Sequence, residues 1–418
     1  MKRTVGAGRA GRTAVRRRAR SGMRTRIRTR MRAGALGALC LLAASTGCGV
    51  EGNVRAAQVI RVTPGDGSKD VRAHDPLEVR APDGRLQRVR VARKGGAAGA
   101  PLRGRISADG REWRPVPADR RLALESRYTV DAVALDGNGR RTARHTTFTT
   151  HVPEHRFIGF FTPEQGQTVG TGMIVSMNFS RAISQRAAVE RAITVRSDPP
   201  VRIAAHWFGA RRLDFRPRDY WTPGTRVTLT LRLRDVRGAR GAYGSQRKTV
   251  HFTVGRDQRS VVDVRRHTMT VRRGGRVVEH VPVTAGDERN PTYDGTMVIS
   301  EKHDETRMDS RTVGFGGEYD IADVPHAMRL TDSGTFLHGN YWAKKGTFGH
   351  ENVSHGCVGL RDEKGGSGHS PAGRFFRSSL VGDPVTVEGS GDRTVSPDNG
   401  LGGWNMPWSE WKAGSALN

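Results

Sequence analysis

Cysteine is scarce in this chain of 418 residues, with three in all, at positions 40, 48 and 357. Downstream of Cys48 only Cys357 is left, so that stretch can close no disulfide of its own. The paired Cys-x-x-Cys spacing of thiolate zinc sites is absent as well. Long apolar runs are also missing. "AGALGALCLLAASTGC", residues 33–48, falls short of the ~20 residues that a bilayer-spanning helix needs, which argues against a permanent span there. Acidic residues are absent from positions 1–32, where thirteen Lys and Arg stand. Nearly half of the formal net charge of +29 therefore sits in that first stretch.

A basic arm usually points to nucleic acid. The residues downstream of this arm argue against that partner. A basic start, an apolar middle and a small-residue exit describe an export signal over residues 1–47. The exit, Ser45-Thr46-Gly47-Cys48, resembles a bacterial lipoprotein signal cut just before a lipidated cysteine. The expectation is a mature protein held at the outer face of the cytoplasmic membrane by lipid on Cys48, with plain secretion as the alternative. In an exported chain the lone thiol of Cys357 then needs an explanation.

Residues 55–150 and 151–255 alternate apolar and polar positions in short runs, such as "RYTVDAVALD" and "RVTLTLRLRD", punctuated by Gly, Pro and Asp. The stretches resemble each other. "EWRPVPADRRLALESRYTVDAVALDGNGR" lines up with "DFRPRDYWTPGTRVTLTLRLRDVRGARG" at an offset of about one hundred residues, the size of an immunoglobulin-like sandwich. Two tandem sandwiches are expected, with "SRAISQRAAVERAI" as a short helical insert. Neither contains clustered His, Cys or acidic residues, so chemistry is expected elsewhere. From 257 to 389 the pattern predicts a third, mostly β domain. It has a hairpin turning at Arg-Gly-Gly-Arg, a strand at 296–301 running into a polar stretch, a strand ending on His338, a helix in "SPAGRFFRSSL" and a closing strand in "GDPVTVEG". Residues 390–418 form a Gly-rich tail whose Trp404, Trp408 and Trp411 are expected to pack back on the body, with a carbohydrate-binding strip as the competing reading.

Cys357 lies in "GTFGHENVSHGCVGLRDEKGG". An ordinary thiol is roughly 3% ionised at neutral pH, so an attacking thiol needs a base or a positive neighbour. His355 lies two residues before it and His338 nineteen before it. Gly356 lets a substrate approach the backbone, and amides around Gly356 and Cys357 could form an oxyanion hole. Two other readings stand beside a nucleophile: zinc held by His338, His350, His355 and Cys357, and an inert buried cysteine.

"HGNYWAKKGTFGHENVSHGCVGL" resembles the signature of L,D-transpeptidases with the YkuD-type catalytic domain: a His, a spacer of about sixteen residues, then Ser-His-Gly-Cys. The leader, two immunoglobulin-like modules, catalytic domain and Trp-rich tail are similar to actinobacterial lipoproteins of that family. The resemblance implies a mostly β fold of two immunoglobulin-like β-sandwiches followed by a β-rich YkuD-type domain and the tail. It implies Cys357 as nucleophile, His338 as proton acceptor and donor, and the Gly339 carbonyl as the group that orients the imidazole. His355, Gly356 and Cys357 would line the oxyanion hole. A lid would follow the strand at 296–301, with Met308 and Tyr319 over the substrate, and Ser333, Gly334, Ser354 and Gly359 would contact it. Gly359 stands where many relatives have Asn, so the amide contact made there would be missing.

The implied reaction is peptidoglycan cross-linking through a cysteine thioester. The thiolate attacks the third residue of a stem tetrapeptide, D-alanine leaves, and an amine of a neighbouring stem takes the acyl group to give a 3→3 link. No cofactor or metal is implied, and carbapenems would acylate the same thiolate. Two rival readings are a thiol carboxypeptidase passing the acyl group to water and a non-catalytic cell-wall spacer.

Overall fold

The structure is a computed structural model, described here for residues 56, 58–94, 101–314 and 316–418; the leader and Cys48 lie outside the described residues. The chain is mostly strand. Residues 61–149 form two facing sheets. One orders Arg61–Thr63, Glu78–Arg80, Glu112–Pro115 and Gly104–Ile106, and the other orders Gly84–Lys94, Arg127–Asp136 and Arg141–Thr149. Alternation along Arg127–Asp136 turns Tyr128, Val130 and Ala132 inward onto Trp113 and Phe148. Each buried side chain of this size contributes about 1.5–3 kcal/mol against exposure.

A second sandwich repeats the plan with its own core. Its two main sheets are Thr168–Val169, Arg247–Val254, Arg226–Arg232 and Ile193–Asp198, and Ile203–Phe208, Arg212–Pro217, Val175–Phe179 and Gly159–Thr162. The "WRP" and "FRP" motifs occupy matching strands, with Trp113 buried in one core and Phe215 in the other. The helical insert is Arg186–Arg191.

Residues 258–388 build one nine-stranded sheet. Its spatial order is Gly295–Val298, Pro384–Glu388, Gln258–Asp263, Thr268–Arg273, Arg276–Thr284, Val358–Arg361, Phe336–Asn340, Asp320–Arg329 and Glu301–Asp309. The Arg-Gly-Gly-Arg hairpin turns on Gly274 and Gly275 at φ +53 and +80, the two-residue turn that demands positive φ twice. Helix Pro371–Ser378 starts where the Ser370 side chain accepts the Gly373 N–H, and it buries Phe375 and Phe376 in the domain core. Two expected elements differ. The strand expected at 296–301 is two strands, broken at Ile299–Ser300, and the polar stretch after it is the strand Glu301–Asp309, paired with Asp320–Arg329. The histidine strand runs past His338 to Asn340.

The second sandwich and the nine-stranded sheet share a packed junction. The Gly170 and Gly172 amides donate to the Val381 and Gly382 carbonyls, and Arg256 forks onto the buried Asp383 carboxylate at 2.9 and 2.7 Å. The tail seals it. Trp411 is fully buried in the second sandwich's core and donates to the Ala204 carbonyl, Trp404 donates to the Gly172 carbonyl, and Asn405 bonds both backbone groups of Thr296. The Arg216 guanidinium lies 4.6–5.3 Å from the Trp404, Trp408 and Trp411 rings, and burial pushes its pKa down to about 10.

These contacts predict a split in truncation behaviour. A chain starting at residue 151 should melt close to the longer protein. A chain starting at 257 should melt far lower, because the junction and the tail's seat are gone. Trp411→Ala in the longer protein should cost about 3–5 kcal/mol in urea unfolding, and a loss under ~1 kcal/mol would show that the tail is merely draped.

Candidate active site

Two parallel strands carry the chemistry. Phe336–Asn340 pairs with Val358–Arg361 so that His338 lies opposite Gly359. Parallel neighbours need a long crossover, and residues 341–357 supply it, ending on Cys357. With period-two alternation, Cys357, two residues before Gly359, and His338, opposite Gly359, emerge on the same face. Both line a cavity of about 440 Å³ with Met308, Tyr319, Asn340 and Trp342. His338 Nδ1 lies 2.9 Å from the Gly339 carbonyl. A carbonyl can only accept, so Nδ1 carries the proton, and the neutral ring presents Nε2 as a proton acceptor.

Glycines fix the backbone around this pair for three reasons. Gly356 sits at φ +107, a conformation hostile to side chains. A Cβ on Gly339 would overlap the Asp362 carboxylate, which is paired with His326 at 2.6 Å. A Cβ on Gly359 would come within 2.9 Å of Thr284 Cγ2 and 3.2 Å of Asn340 Nδ2.

Burial pushes the Cys357 thiol up to about 11, against the pull of the Phe336 backbone amide and the Arg329 charge. Burial also holds His338 below its usual value, opposed by the Gly339 carbonyl. Both shifts favour the uncharged pair at rest. The Cys357 thiol lies 3.5 Å from the Gly334 carbonyl. Tyr319, over the cavity, is pushed up to about 12 by burial and by any negative charge on Cys357. The site can pass a proton from sulfur to Nε2 as the sulfur attacks an electrophile. Among the described residues, no group of three or more His, Cys, Asp or Glu is placed to hold a metal ion.

Residues 257–387 match the L,D-transpeptidase catalytic domain and residues 68–237 match a bacterial Ig domain, a match that crosses both sandwiches. The chain is 33% identical over 354 residues to L,D-transpeptidase 2 of Mycobacterium tuberculosis strain CDC 1551 / Oshkosh, covering 84% of this chain and 83% of that protein. It is 32% identical to L,D-transpeptidase 5 of strain H37Rv, covering 85% and 76%. The chain belongs to the L,D-transpeptidase family. Among solved structures, the LD transpeptidase LdtMt1 in complex with imipenem aligns with 57% of this chain and all of its own, at 29% identity and a TM-score of 0.46.

The L,D-transpeptidase residues expected from sequence fall into three groups. Met308, Tyr319, His338, Ser354, His355 and Cys357 line one cavity. Gly339, Gly356 and Gly359 shape its backbone. Ser333 does not line it, because the tail residue Asn399 binds both the Ser333 amide and its hydroxyl. Its neighbour Gly334 meets the thiol through its carbonyl. Ser354 spends its hydroxyl inside the turn, donating to the Cys357 carbonyl at 2.5 Å and accepting from the Gly356 N–H at 3.3 Å. That leaves the Gly356 amide engaged in this state. His355 Nε2 pairs with Glu318 Oε2 at 2.8 Å and its ring meets Tyr319, which ties the lid tip to the cysteine turn.

Three residues were missed from sequence. Trp342 lies nearly parallel to His338 at 5.5 Å, with 44% of its surface exposed at the cavity mouth. Arg329, at the end of the strand Asp320–Arg329 and paired with Glu301, pulls the thiol's pKa down through its charge. Asn340 follows His338 by two residues and so shares its face. Its Oδ1 accepts from Ala343 N–H, while its Nδ2 has no partner among the described residues and borders the space a Gly359 side chain would fill. The pattern His-x-Asn on one strand was the available signal.

The two pKa directions give a pH prediction. Inactivation of the L,D-transpeptidase by iodoacetamide should accelerate about tenfold per pH unit from pH 7 to 10. A plateau above pH 7 would show a preformed thiolate–imidazolium pair instead.

Proposed function

We propose that this protein cross-links peptidoglycan stem peptides by two acyl transfers at Cys357. The observation carrying this is that the thiol and an imidazole with its acceptor nitrogen already selected share one cavity. Cys357 Sγ bonds to the donor carbonyl carbon while its proton moves to His338 Nε2. The tetrahedral oxyanion is met by the Cys357 amide and, once Ser354 gives it up, the Gly356 amide. The C–N bond to the terminal D-alanine breaks, and the leaving amine takes the proton from His338. An acceptor amine then attacks the thioester, His338 takes its proton, and an amide forms as the thiol is restored. Asn340 Nδ2 donates to a donor-stem carbonyl, the work that sequence reading held to be missing at Gly359. The same thiol opens a carbapenem's strained ring and stays acylated.

The test is mass analysis of products from a donor tetrapeptide with an amine-bearing acceptor stem. Dimer lacking one D-alanine is expected; tripeptide alone would assign a hydrolase. Cys357→Ala should lower turnover by about a thousandfold or more, with unchanged melting. His338→Ala should come close to that, and a loss confined to His355→Ala would move the base there. Asn340→Ala should raise the donor KM about tenfold, near 1.4 kcal/mol, while iodoacetamide still alkylates Cys357 at the wild-type rate. Equal slowing of alkylation would give Asn340 a role in thiol activation.

Location follows from the leader. Cys48 carries a diacylglycerol anchor at the outer face of the cytoplasmic membrane, since two acyl chains suffice for stable attachment. Wild-type membrane retention of Cys48→Ala would refute it.

A further inference from the structure

Charge is divided unevenly along the described chain. Residues 56–255 hold 36 Lys and Arg against 18 Asp and Glu, whereas residues 256–418 hold 20 against 22. The basic excess therefore belongs to the two sandwiches, and the catalytic part is close to neutral.

Part of that excess converges on one cleft. A cavity of about 500 Å³ between the sandwiches is lined by Arg93 and Arg121 of the first and by Arg232, Arg234 and Arg247 of the second. Its single acid, Asp235, is already engaged. It accepts from Arg156 at 2.9 Å and from the Leu124 amide, and its carbonyl is bonded by Arg121. Arg93, Arg232, Arg234 and Arg247 make no ion pair among the described residues. Arg232 and Arg247 are also directly opposite each other in the Arg226–Arg232 and Arg247–Val254 ladder, a like-charge placement that destabilises a sheet. The same outward face continues with Arg196 and Arg226, again opposed by one acid, Asp198. Among the described residues no acid pairs with Arg232 or Arg247 to offset this cost.

We infer that the cleft between the sandwiches, with the arginine-lined sheet face beyond it, binds an extended polymer carrying phosphodiester charge. Guanidinium forks suit phosphate oxygens in pairs. A concave slot with walls from two modules admits a chain and excludes a planar bilayer. The sandwiches then hold an anionic strand of the surroundings while the neutral domain works on stems.

Inorganic polyphosphate is the probe. The protein used is residues 55–418, which form one compact unit and omit the basic leader that would bind on its own. Binding is followed by titration at low and raised salt. Wild type should bind with an affinity that falls steeply as salt rises. Arg93→Ala/Arg232→Ala/Arg234→Ala/Arg247→Ala should bind about tenfold or more weakly. Arg61→Ala/Arg105→Ala/Arg141→Ala/Arg202→Ala, an equal charge change outside the cleft, should stay within about twofold. Melting and turnover of soluble stem peptide should be unaltered in both. If the first variant fails to fold, Arg247→Ala alone should weaken binding about threefold. Equal losses in both variants would reduce the effect to diffuse charge and overturn the site, as would no binding by wild type. Arginine-dependent binding to phosphatidylglycerol vesicles, without polyphosphate binding, would overturn the polymer and assign a membrane surface.

Discussion

The parallel pairing of Phe336–Asn340 with Val358–Arg361 sets everything else in the active site. Because His338 faces Gly359 in that ladder, the thiol two residues before Gly359 and the imidazole share a face. The crossover that parallel strands require is the spacer between them. The flanking glycines keep the ladder possible: one takes a left-handed turn into the cysteine, one yields room to Asp362, and one yields room to Asn340. A side chain at Gly356 would strain the backbone leading into the sulfur, whereas one at Gly339 or Gly359 would press on the Asp362 side chain or on Thr284 and Asn340.

That geometry produces a quiet nucleophile. Burial raises the thiol and lowers the imidazole, so the resting site holds no charge pair to be solvated or oxidised. Proton transfer is deferred until an electrophile arrives, when the Phe336 amide and the Arg329 charge favour the ionised sulfur. The lid contributes through Tyr319 and the Glu318–His355 pair, which close over the turn without touching the base. Reactivity is thus tied to occupancy of the cavity, which suits an enzyme whose acyl group must reach an amine before water.

Sequence made the meeting of Cys357 and His338 in one cavity, the sandwich repeat and the Gly274–Gly275 hairpin readable because each rests on local chemistry: motif spacing, alternation and φ preference. The lid strand Glu301–Asp309 was read only as a polar stretch after the strand at 296–301. Its burial pattern explains this, since no residue in it is buried and no apolar face marks the period. Asn340 was passed over because its meaning lies across the ladder, in the space left by Gly359. Ser333 was assigned to substrate because nothing near it in sequence announces Asn399, 66 residues on. Contacts of that kind are set by tertiary packing, and no local pattern encodes them.

The tail shows why the modules are not interchangeable beads. Trp411 completes the second sandwich's core while Asn405 holds the edge of the catalytic sheet at Thr296. The chain leaves the catalytic sheet and returns to the sandwich that precedes it, so both carry one load path. Gly170 belongs to the same seam, where a side chain would collide with Asp383. Among the described residues the first sandwich has no comparable seam with the catalytic sheet; its contacts reach the second sandwich through Asp235, the Glu125–Arg156 pair and the arginine cleft. Rigidity is therefore concentrated between the second sandwich and the active site, and the unbalanced charge is concentrated where the first sandwich meets the second. A polyanion bound there would load the junction farthest from the thiol, leaving the packed seam to keep Cys357 and His338 in register.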